Sequence, residues 1–301
     1  MMGVREGKEY QWTTVKEVAN KAKNLAAGME ALGLVQESYA EGRTWKMVGL
    51  KSKNRPEWGL MHTANYHMGA TTIALYDTLG PDATAYIIEL TEIVTLGCSS
   101  DLIEATLKMK KAEQAGADRL KKLVNIVNFD NKTDSKVLDL AKELGVRIVG
   151  FDDVLEAGAR NKDFKVTEPT PDDVYILSFT SGTTGYPKGV KFTHKACLGV
   201  LTAMQHTITP ASAFNENDTY ISYLPYSHIF EQILYAIVVV YGMKCGYYSG
   251  DVTKIVGEDI PALKPTFFPG VPRLYNRMYG SIQAKINAAA GCKGWLISNA
   301  L

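Results

Sequence analysis

The residues best suited to chemistry lie in one run, Thr180-Ser181-Gly182-Thr183-Thr184-Gly185-Tyr186-Pro187-Lys188-Gly189. The run follows an apolar segment, residues 174–179, whose pattern predicts a buried strand. Its glycines let backbone N–H groups turn toward an anion, and its hydroxyls and the Lys188 ammonium add further hydrogen-bond donors. This combination at the end of a strand predicts a loop that holds a polyphosphate.

The run does not fit the Walker phosphate loop, G-x-x-x-x-G-K-[ST]. Counted from Gly182, the position of the second glycine holds Pro187, and Gly189 stands where the loop needs a Mg-binding hydroxyl. A flexible surface linker is another interpretation, but linkers rarely fix a Pro-Lys-Gly sequence after a strand. For Lys188 alone, a lysine on the surface of a helix is the alternative to a phosphate ligand.

Helical and extended patterns alternate along the chain and must position this loop. Thr14 and Glu17 form a capping-box pattern that starts a helix, and Pro56 stands near the first turn of another. The alternation predicts an α/β fold, with parallel-rich sheets flanked by helices. A short strand is also expected from Lys264 to Pro269. The longest apolar run, residues 233–241, is far shorter than the roughly 20 residues that span a bilayer, so it predicts a buried helix.

Composition excludes several classes of protein. The chain has 301 residues, of which 46% are hydrophobic and 22% charged, with a net charge of +1. That balance is typical of a globular protein and argues against a nucleic-acid partner. The 4 cysteines form no C-x-x-C pair, which argues against a disulfide scaffold or a structural zinc site and favours a reducing compartment. No signal-peptide pattern is visible at the N-terminus.

The run from Thr180 to Gly189 resembles the phosphate loop of the acyl-adenylate-forming (AMP-binding) superfamily, [ST]-[ST]-G-[ST]-T-G-x-P-K-G, and matches it at every position. Four further segments are similar to signatures of the long-chain acyl-CoA synthetases within that superfamily. In chain order they are residues 54–58 (NRPEW), 75–80 (LYDTLG), 223–231 (YLPYSHIFE) and 265–277, which contain FFPGVPR.

The resemblance implies ATP-dependent activation of long-chain fatty acids to acyl-CoA through an acyl-adenylate. A fatty carboxylate would attack the α-phosphorus of ATP, and the CoA thiol would then displace AMP. Mg²⁺ and positioned donors would stabilise the charge that builds on the phosphates. Lys188 would be the neighbouring cation, and the residues expected to wrap the β- and γ-phosphates are Thr180, Ser181, Gly182, Thr183, Thr184 and Gly185.

The resemblance also assigns a catalytic role to His228, which would orient the α-phosphate and the acyl carboxylate. From its surroundings in the sequence alone, a hydrogen-bonded core histidine is the alternative. The helix from Ile229 to Val240 would line the acyl tunnel, and Gln232 stands where some relatives place a gating aromatic residue. Core packing is the alternative for the tunnel residues. The residues expected to bind the acyl substrate are Tyr226, His228, Gln232, Gly270 and Val271, and no metal ligand is assigned in this chain.

Members of this family are considerably longer and carry further motifs downstream, among them Tyr-Gly-x-Thr-Glu. Here Tyr279-Gly280 is not followed by Thr-Glu. We therefore expect residues 1–301 to form part of the AMP-binding domain, with a sub-domain connection near residues 161–173 and without the C-terminal lid domain. The isolated chain is expected to turn over little or no substrate. A catalytically incomplete nucleotide- or acyl-binding fragment, and an adenylating ligase for a shorter or aromatic acid, are the alternatives.

The expected partners are a long-chain fatty acid, ATP and CoA, with no nucleic acid. The resemblance further implies peripheral membrane association of the full-length parent, at the cytosolic face of the endoplasmic reticulum or other membranes.

Overall fold

Two β-sheets and the helices around them make up the part of the chain that the structure, a computed structural model, describes: residues 1–180, 185–207 and 214–288. Within these residues the strands are β1 (Met2–Glu6), β2 (Glu9–Thr13), β3 (Glu37–Ala40), β4 (Arg43–Lys51), β5 (Thr71–Ala74), β6 (Thr95–Cys98), β7 (Asn125–Asn128), β8 (Arg147–Gly150), β9 (Val174–Thr180), β10 (Lys188–Thr193), β11 (Thr219–Ser222) and β12 (Lys244–Tyr247).

The helices of the same described residues are α1 (Val15–Ala31), α2 (Pro56–His67), α3 (Pro81–Thr91), α4 (Ser100–Gln114), α5 (Ser135–Glu143), α6 (Phe151–Arg160), α7 (His194–Thr207), α8 (Ile229–Val240), α9 (Ile260–Leu263) and α10 (Pro272–Ala288). A π-helical turn, Ile255–Asp259, leads directly into α9.

The larger sheet has the strand order β10-β9-β5-β4-β6-β7-β8, with β3 paired to β4. Its strands run parallel except at β3 and β10, which are antiparallel to their neighbours. Parallel pairs need crossover connections, and here these are helices. Helices α3, α4 and α5 bury one face of the sheet, and α1, α2 and α6 contribute to the core on the other. The predicted α/β fold with parallel-rich sheets flanked by helices is confirmed.

The smaller sheet has the order β11-β12-β1-β2. Its strands share one hydrophobic core with the larger sheet, because Met2, Tyr220 and Tyr247 pack in the same cluster as α1, α2 and α8. Helix α8 contributes Leu234 and Ile237 to that cluster. Its bounds, Ile229–Val240, are those predicted for the tunnel helix.

Helix α1 shows how local sequence sets both the start and the packing of an element. The predicted capping box is present, because the Thr14 hydroxyl accepts from the Glu17 N–H and the Glu17 carboxylate accepts from the Thr14 N–H at 2.8 Å. Along its length α1 meets α6 backbone to backbone. A Cβ atom added to Gly28 would lie 1.9 Å from the carbonyl oxygen of Val154, so only glycine fits there.

A β-bulge interrupts the pairing of β9 with β10. Phe192 pairs with Ile176 and the next residue, Thr193, pairs with Val174, so Tyr175 is left over on β9. An extra residue in one strand bends that strand and redirects its side chains. Tyr175 consequently packs in the same core cluster as Ile176, on the side of helices α7 and α8, whereas Leu177 packs in the cluster on the other face.

Two segments differ from, or add to, the sequence prediction. The prediction of a strand from Lys264 to Pro269 is wrong, since this segment forms only an isolated bridge, between Phe267 and Tyr220. Pro265 and Pro269 have no N–H to give to a ladder, which explains the failure. Residues 161–173 form an irregular connection from α6 to β9, and the strands before and after it, β8 and β9, belong to the same sheet.

Candidate functional site

The predicted phosphate loop joins β9 to β10 as an antiparallel hairpin. Thr180 and Lys188 are directly opposite each other, and theirs is the pair nearest the turn. Gly185 has a φ of 117°, a left-handed backbone value that favours glycine. The predicted phosphate-binding residues Ser181, Gly182, Thr183 and Thr184 lie outside the described residues.

The hairpin borders a cleft of about 620 Å³ at the carboxyl ends of β5 and β9. In open α/β sheets this edge is where ligands bind. One wall is the segment from β5 to α3, a second is the hairpin, and the third is the segment that leads into α8. Its described lining consists of Tyr76, Leu79, Ala83, Ser178, Phe179, Thr180, Gly185, Pro187, Val190, Phe192, Ser227, His228 and Ile229.

Three of the predicted site residues, Thr180, Gly185 and His228, therefore meet in one cleft. Lys188 is exposed and is not part of that lining. It lies two and four residues before Val190 and Phe192, which do line the cleft. Because every second side chain of a strand shares a face, the Lys188 side chain leaves β10 on the same face as these two cleft residues.

The hairpin is held against α3 by an aromatic stack. The rings of Tyr86 and Tyr186 lie 4.6 Å apart with an interplanar angle of 23°. Offset stacking of this kind contributes about 0.5–1.5 kcal/mol beyond the burial of area. The contact fixes one side of the loop relative to the helix that closes the cleft.

Ser178 is a cleft residue that sequence reasoning missed. Its side chain is 6% exposed, and its Oγ has no hydrogen-bond partner among the described residues. A buried hydroxyl without a partner is unfavourable, and such groups occur where a ligand supplies the missing bond. The available signal was the alternation along β9, which places Ser178 on the same side as Thr180.

His228 is the N-cap residue of α8, and its side chain is exposed rather than part of the core. Its Nδ1 accepts a hydrogen bond from the Phe230 N–H at 3.1 Å. In the neutral ring the proton is therefore on Nε2, which is free to donate to an oxygen in the cleft. The N-terminal end of α8 adds a partial positive charge at the same place.

A buried polar cluster supports the turn that carries His228. The Glu231 carboxyl accepts from Ser222 Oγ at 2.6 Å, from Asn54 Nδ2 at 3.2 Å, and from the Tyr220 hydroxyl. Burial raises the pKa of Glu231 to about 8, against the opposing effect of its hydroxyl donors. Glu231 and Asn54 both belong to sequence motifs of the resemblance, but their contact was not predicted.

A second, apolar cavity of about 360 Å³ lies along the body of α8. Helix α8 contributes Gln232, Tyr235, Ala236 and Val239 to its wall. Leu198 and Leu201 of α7 and Val18 of α1 close other sides. Since His228 lies in the cleft and Gln232 is one helical turn further on, the two cavities share α8 as a wall.

The other predicted acyl-site residues are placed differently. Gln232 is 2% exposed and its Nε2 donates to the carbonyl oxygen of Tyr226. The Tyr226 ring is buried in the core, stacked on Trp58 at 4.5 Å. Gly270 and Val271 are absent from the described linings of both cavities. The substrate-binding roles of all five residues stay predictions: Tyr226, His228, Gln232, Gly270 and Val271.

One end of the apolar cavity is polar. His62, from α2, is fully buried between the Thr72 hydroxyl, 2.8 Å from Nδ1, and the Tyr66 hydroxyl at Nε2. Burial lowers the pKa of His62 to about 3, so the ring is neutral at physiological pH. Tyr66 and Tyr175 both line the cavity here. The whole cluster could not be predicted from the sequence, because Thr72 and Tyr175 come from β5 and β9, whereas His62 and Tyr66 lie one turn apart on α2.

The described residues contain neither a cluster of metal-binding side chains nor a helix that could span a membrane. Within ranges 1–180, 185–207 and 214–288, no three histidine, cysteine or carboxylate side chains gather in a way that could hold a metal ion. No helix in those ranges has the length and apolar character needed to cross a bilayer.

Comparison with known proteins supports an adenylate-forming fold. The family model described as "AMP-binding enzyme" matches residues 3–295. Long-chain-fatty-acid–CoA ligase 6 of Mus musculus is 35% identical over 98% of this chain and 40% of its own length. Long-chain-fatty-acid–CoA ligase 1 of Cavia porcellus is 31% identical over 96% of this chain and 39% of its own length. The chain thus spans about 40% of the length of the curated relatives it matches.

Solved structures show the same fold at low sequence identity. The adenylation domain of a carboxylate reductase from Mycobacterium chelonae superposes with a TM-score of 0.80 at 18% identity, covering 96% of this chain and 46% of that one. An o-succinylbenzoate CoA synthetase from Bacillus subtilis, in complex with AMP, gives a TM-score of 0.66 at 16% identity, covering 93% of this chain and 47% of that one.

Proposed function

The chain belongs to the AMP-binding enzyme family, and from that membership we propose that it carries the phosphate loop and part of the acyl site of an ATP-dependent long-chain fatty-acid–CoA ligase. The observation that carries the proposal is the position of α8. Its N-cap residue, His228, lies in a cleft with Thr180 and Gly185, and its body lines an apolar cavity. A polyphosphate and an alkyl chain could therefore be held end to end.

The residues of the cleft suit the first chemical step. A fatty carboxylate attacks the α-phosphorus of ATP, and pyrophosphate leaves as the acyl-adenylate forms. The carboxylate needs no deprotonation, so His228 would act by donating from Nε2 to a phosphate or carboxylate oxygen. Thr180, the loop backbone at Gly185, and Lys188 would bind the departing phosphates. The CoA thiol would then displace AMP in the second step.

Mg²⁺ would neutralise phosphate charge during the first step. The described residues offer no group of three metal-binding side chains, so we assign the ion no ligand in this part of the chain. In the cleft, the Mg²⁺ ion would be bound through the phosphate oxygens of ATP.

The apolar cavity favours a long aliphatic acid over a short or aromatic one. Its walls are mainly aliphatic side chains of α1, α7 and α8, and its volume, about 360 Å³, is within the usual range of ligand pockets. The relatives are also named as ligases of long-chain fatty acids. Membrane association and a location at the endoplasmic reticulum stay predictions of the resemblance, and so does the domain assignment.

The test is palmitate-dependent pyrophosphate release from Mg-ATP by the 301-residue chain, with and without CoA, alongside ATP binding measured by calorimetry. Lys188→Ala and His228→Ala are compared with Lys191→Ala. Lys191 is a matched control because it lies on the same strand, alternates to the other side, and pairs with Glu41.

We expect ATP to bind and Lys188→Ala to weaken it about tenfold or more, since a charge-assisted contact is lost. Lys191→Ala should leave ATP affinity unchanged. Turnover by this chain alone should be small, because the Tyr-Gly-x-Thr-Glu motif is absent from it. Equal ATP affinity in all four proteins would overturn the phosphate site. A preference for benzoate over palmitate would overturn the long-chain assignment.

A further inference from the structure

Tyr175 lines the apolar cavity, and its buried hydroxyl oxygen has no partner at hydrogen-bonding distance and angle among the described residues. The side chain is only 4% exposed, so bulk water does not compensate for the missing bond. Burial raises the pKa of Tyr175, and the neighbouring thiol of Cys197 raises it further. A thiol is a weak acceptor, and the phenol keeps its proton available to a better one.

The other tyrosine hydroxyls of the cavity lining are already engaged. Tyr66 is bonded to the buried ring of His62, and Tyr235 is 3.4 Å from the Thr63 hydroxyl. Among the described lining tyrosines, Tyr175 is thus the one whose hydroxyl has no better neighbour than the weak thiol acceptor of Cys197. The β-bulge is what directs it there, since regular alternation would send it to the opposite face with Leu177.

Tyr175 lies some distance along β9 from the cleft in which the acyl carboxylate would bind. Ser178 lines that cleft, and Tyr175 precedes it by three residues on an extended strand, or about 10 Å. Its ring is also close to His62, at 5.9 Å between centroids, and to His194 at 5.3 Å. An acyl chain running from the cleft into the cavity would pass this polar end partway along its length.

We propose that the acyl cavity recognises long-chain acids that bear a hydroxyl group partway along the chain, with the Tyr175 hydroxyl donating a hydrogen bond to that oxygen. The proposal rests on the proposed function, because it requires that the cavity take an acyl chain. A hydroxyl leaving water must recover its lost hydrogen bonds, and Tyr175 supplies one partner at the polar end of a cavity whose other walls are mainly apolar.

The experiment compares oleate with ricinoleate, which differ by one hydroxyl group in mid-chain. Their affinities for the 301-residue chain are measured by calorimetry in the presence of ATP, in three proteins: the natural sequence, Tyr175→Phe and Tyr235→Phe. Tyr235→Phe is the matched control. It also removes a tyrosine hydroxyl from the cavity lining, but that hydroxyl already has a hydrogen-bond partner, Thr63. Thermal unfolding of each variant checks that the fold is retained.

We expect ricinoleate to bind about three- to tenfold more tightly than oleate, the effect of one neutral hydrogen bond. Tyr175→Phe should abolish that ratio with little change in oleate affinity, and Tyr235→Phe should preserve it. Equal binding of the two acids, or a ratio that survives Tyr175→Phe, would overturn the proposal while leaving the acyl cavity intact. If neither acid binds, the assignment of this cavity to an acyl chain is contradicted, and the proposal with it.

Discussion

Asn54 donates from Nδ2 to Oε1 of Glu231 at 3.2 Å, although 177 positions separate the two residues. The same amide donates to the carbonyl oxygen of Leu224 at 2.6 Å and accepts from the Tyr226 N–H at 3.0 Å. One side chain near the start of α2 therefore fixes the turn that carries His228, and links it to the first turn of α8.

Asn54→Ala should lower the free energy of unfolding by about 2–4 kcal/mol, because it leaves several buried polar groups without partners. Urea unfolding measures the change. Asn217→Ala is the control, since its side chain is exposed and, among the described residues, bonds to Asn215 alone, and it should change the free energy by no more than about 0.5 kcal/mol. Equal losses in the two variants would contradict the role given to Asn54.

Glu231→Gln should change how stability depends on pH. The folded pKa of Glu231 is about 8, above its ordinary value of 4.5, so between these pH values the folded protein binds a proton that the unfolded chain has released. Stability contributed by this group is complete below about pH 4.5 and is lost as pH rises toward 8. The loss approaches about 1.4 kcal/mol per pH unit.

Glutamine resembles the neutral acid and does not titrate, so the variant should lose less stability than the natural protein between about pH 6 and pH 8. Urea unfolding across that range measures the two slopes. Glu216→Gln, at an exposed position, is the control and should leave the natural slope unchanged. Parallel slopes for Glu231→Gln and the natural protein would show that the carboxyl is ionised in the fold.

Ser178→Ala should separate binding from stability. Because Oγ of Ser178 has no partner in the described residues, removing it should leave the melting temperature unchanged or slightly raised. ATP should bind about three- to tenfold more weakly, as one neutral hydrogen bond is lost. Ser222→Ala is the contrasting variant, since its hydroxyl bonds to Glu231 at 2.6 Å and its loss should lower the melting temperature. Unchanged ATP affinity in Ser178→Ala would show that Ser178 does not contribute to ATP binding.

Gly28→Ala should destabilise the protein by at least about 3 kcal/mol. The new methyl group would lie 1.9 Å from the carbonyl oxygen of Val154, so α1 and α6 would have to separate. Gly199→Ala, in helix α7, is the matched control because nothing lies within 4 Å of its added Cβ. It should be neutral, or stabilising by about 0.5–1 kcal/mol. Guanidinium unfolding of both variants measures the difference, and similar values would argue against close helix packing at Gly28.

Local patterns predicted those parts of the fold that local forces set. The start of α1 follows from the hydrogen bonds of Thr14 and Glu17, and α8 follows from one apolar run. The strand before the phosphate loop likewise follows from a continuous apolar run, whereas its antiparallel pairing with β10 was not predicted. The contact of Asn54 with Glu231 could not be predicted in this way, since it depends on how two distant elements pack.

Tyr175 illustrates a second limit. Strict alternation along β9 would have placed its side chain with Leu177 and Phe179, in the core on the other side of the sheet. The bulge, which leaves Tyr175 unpaired on β9, reverses that assignment, and it is defined only by how β9 pairs with β10. The expected strand at Lys264–Pro269 failed for a simpler reason, since its prolines cannot complete a ladder.

Helix α8 is the common wall of the cleft and the apolar cavity, with His228 at its start facing one and Ala236 in its body facing the other. A helix moves as a unit, so a ligand that shifts it in one cavity also reshapes the second. Thermodynamic linkage then imposes a symmetry: the factor by which nucleotide changes acyl affinity equals the factor by which the acyl chain changes nucleotide affinity. The binding of nucleotide and the binding of the acyl chain would therefore be coupled through α8 alone, before any bond forms between the two ligands.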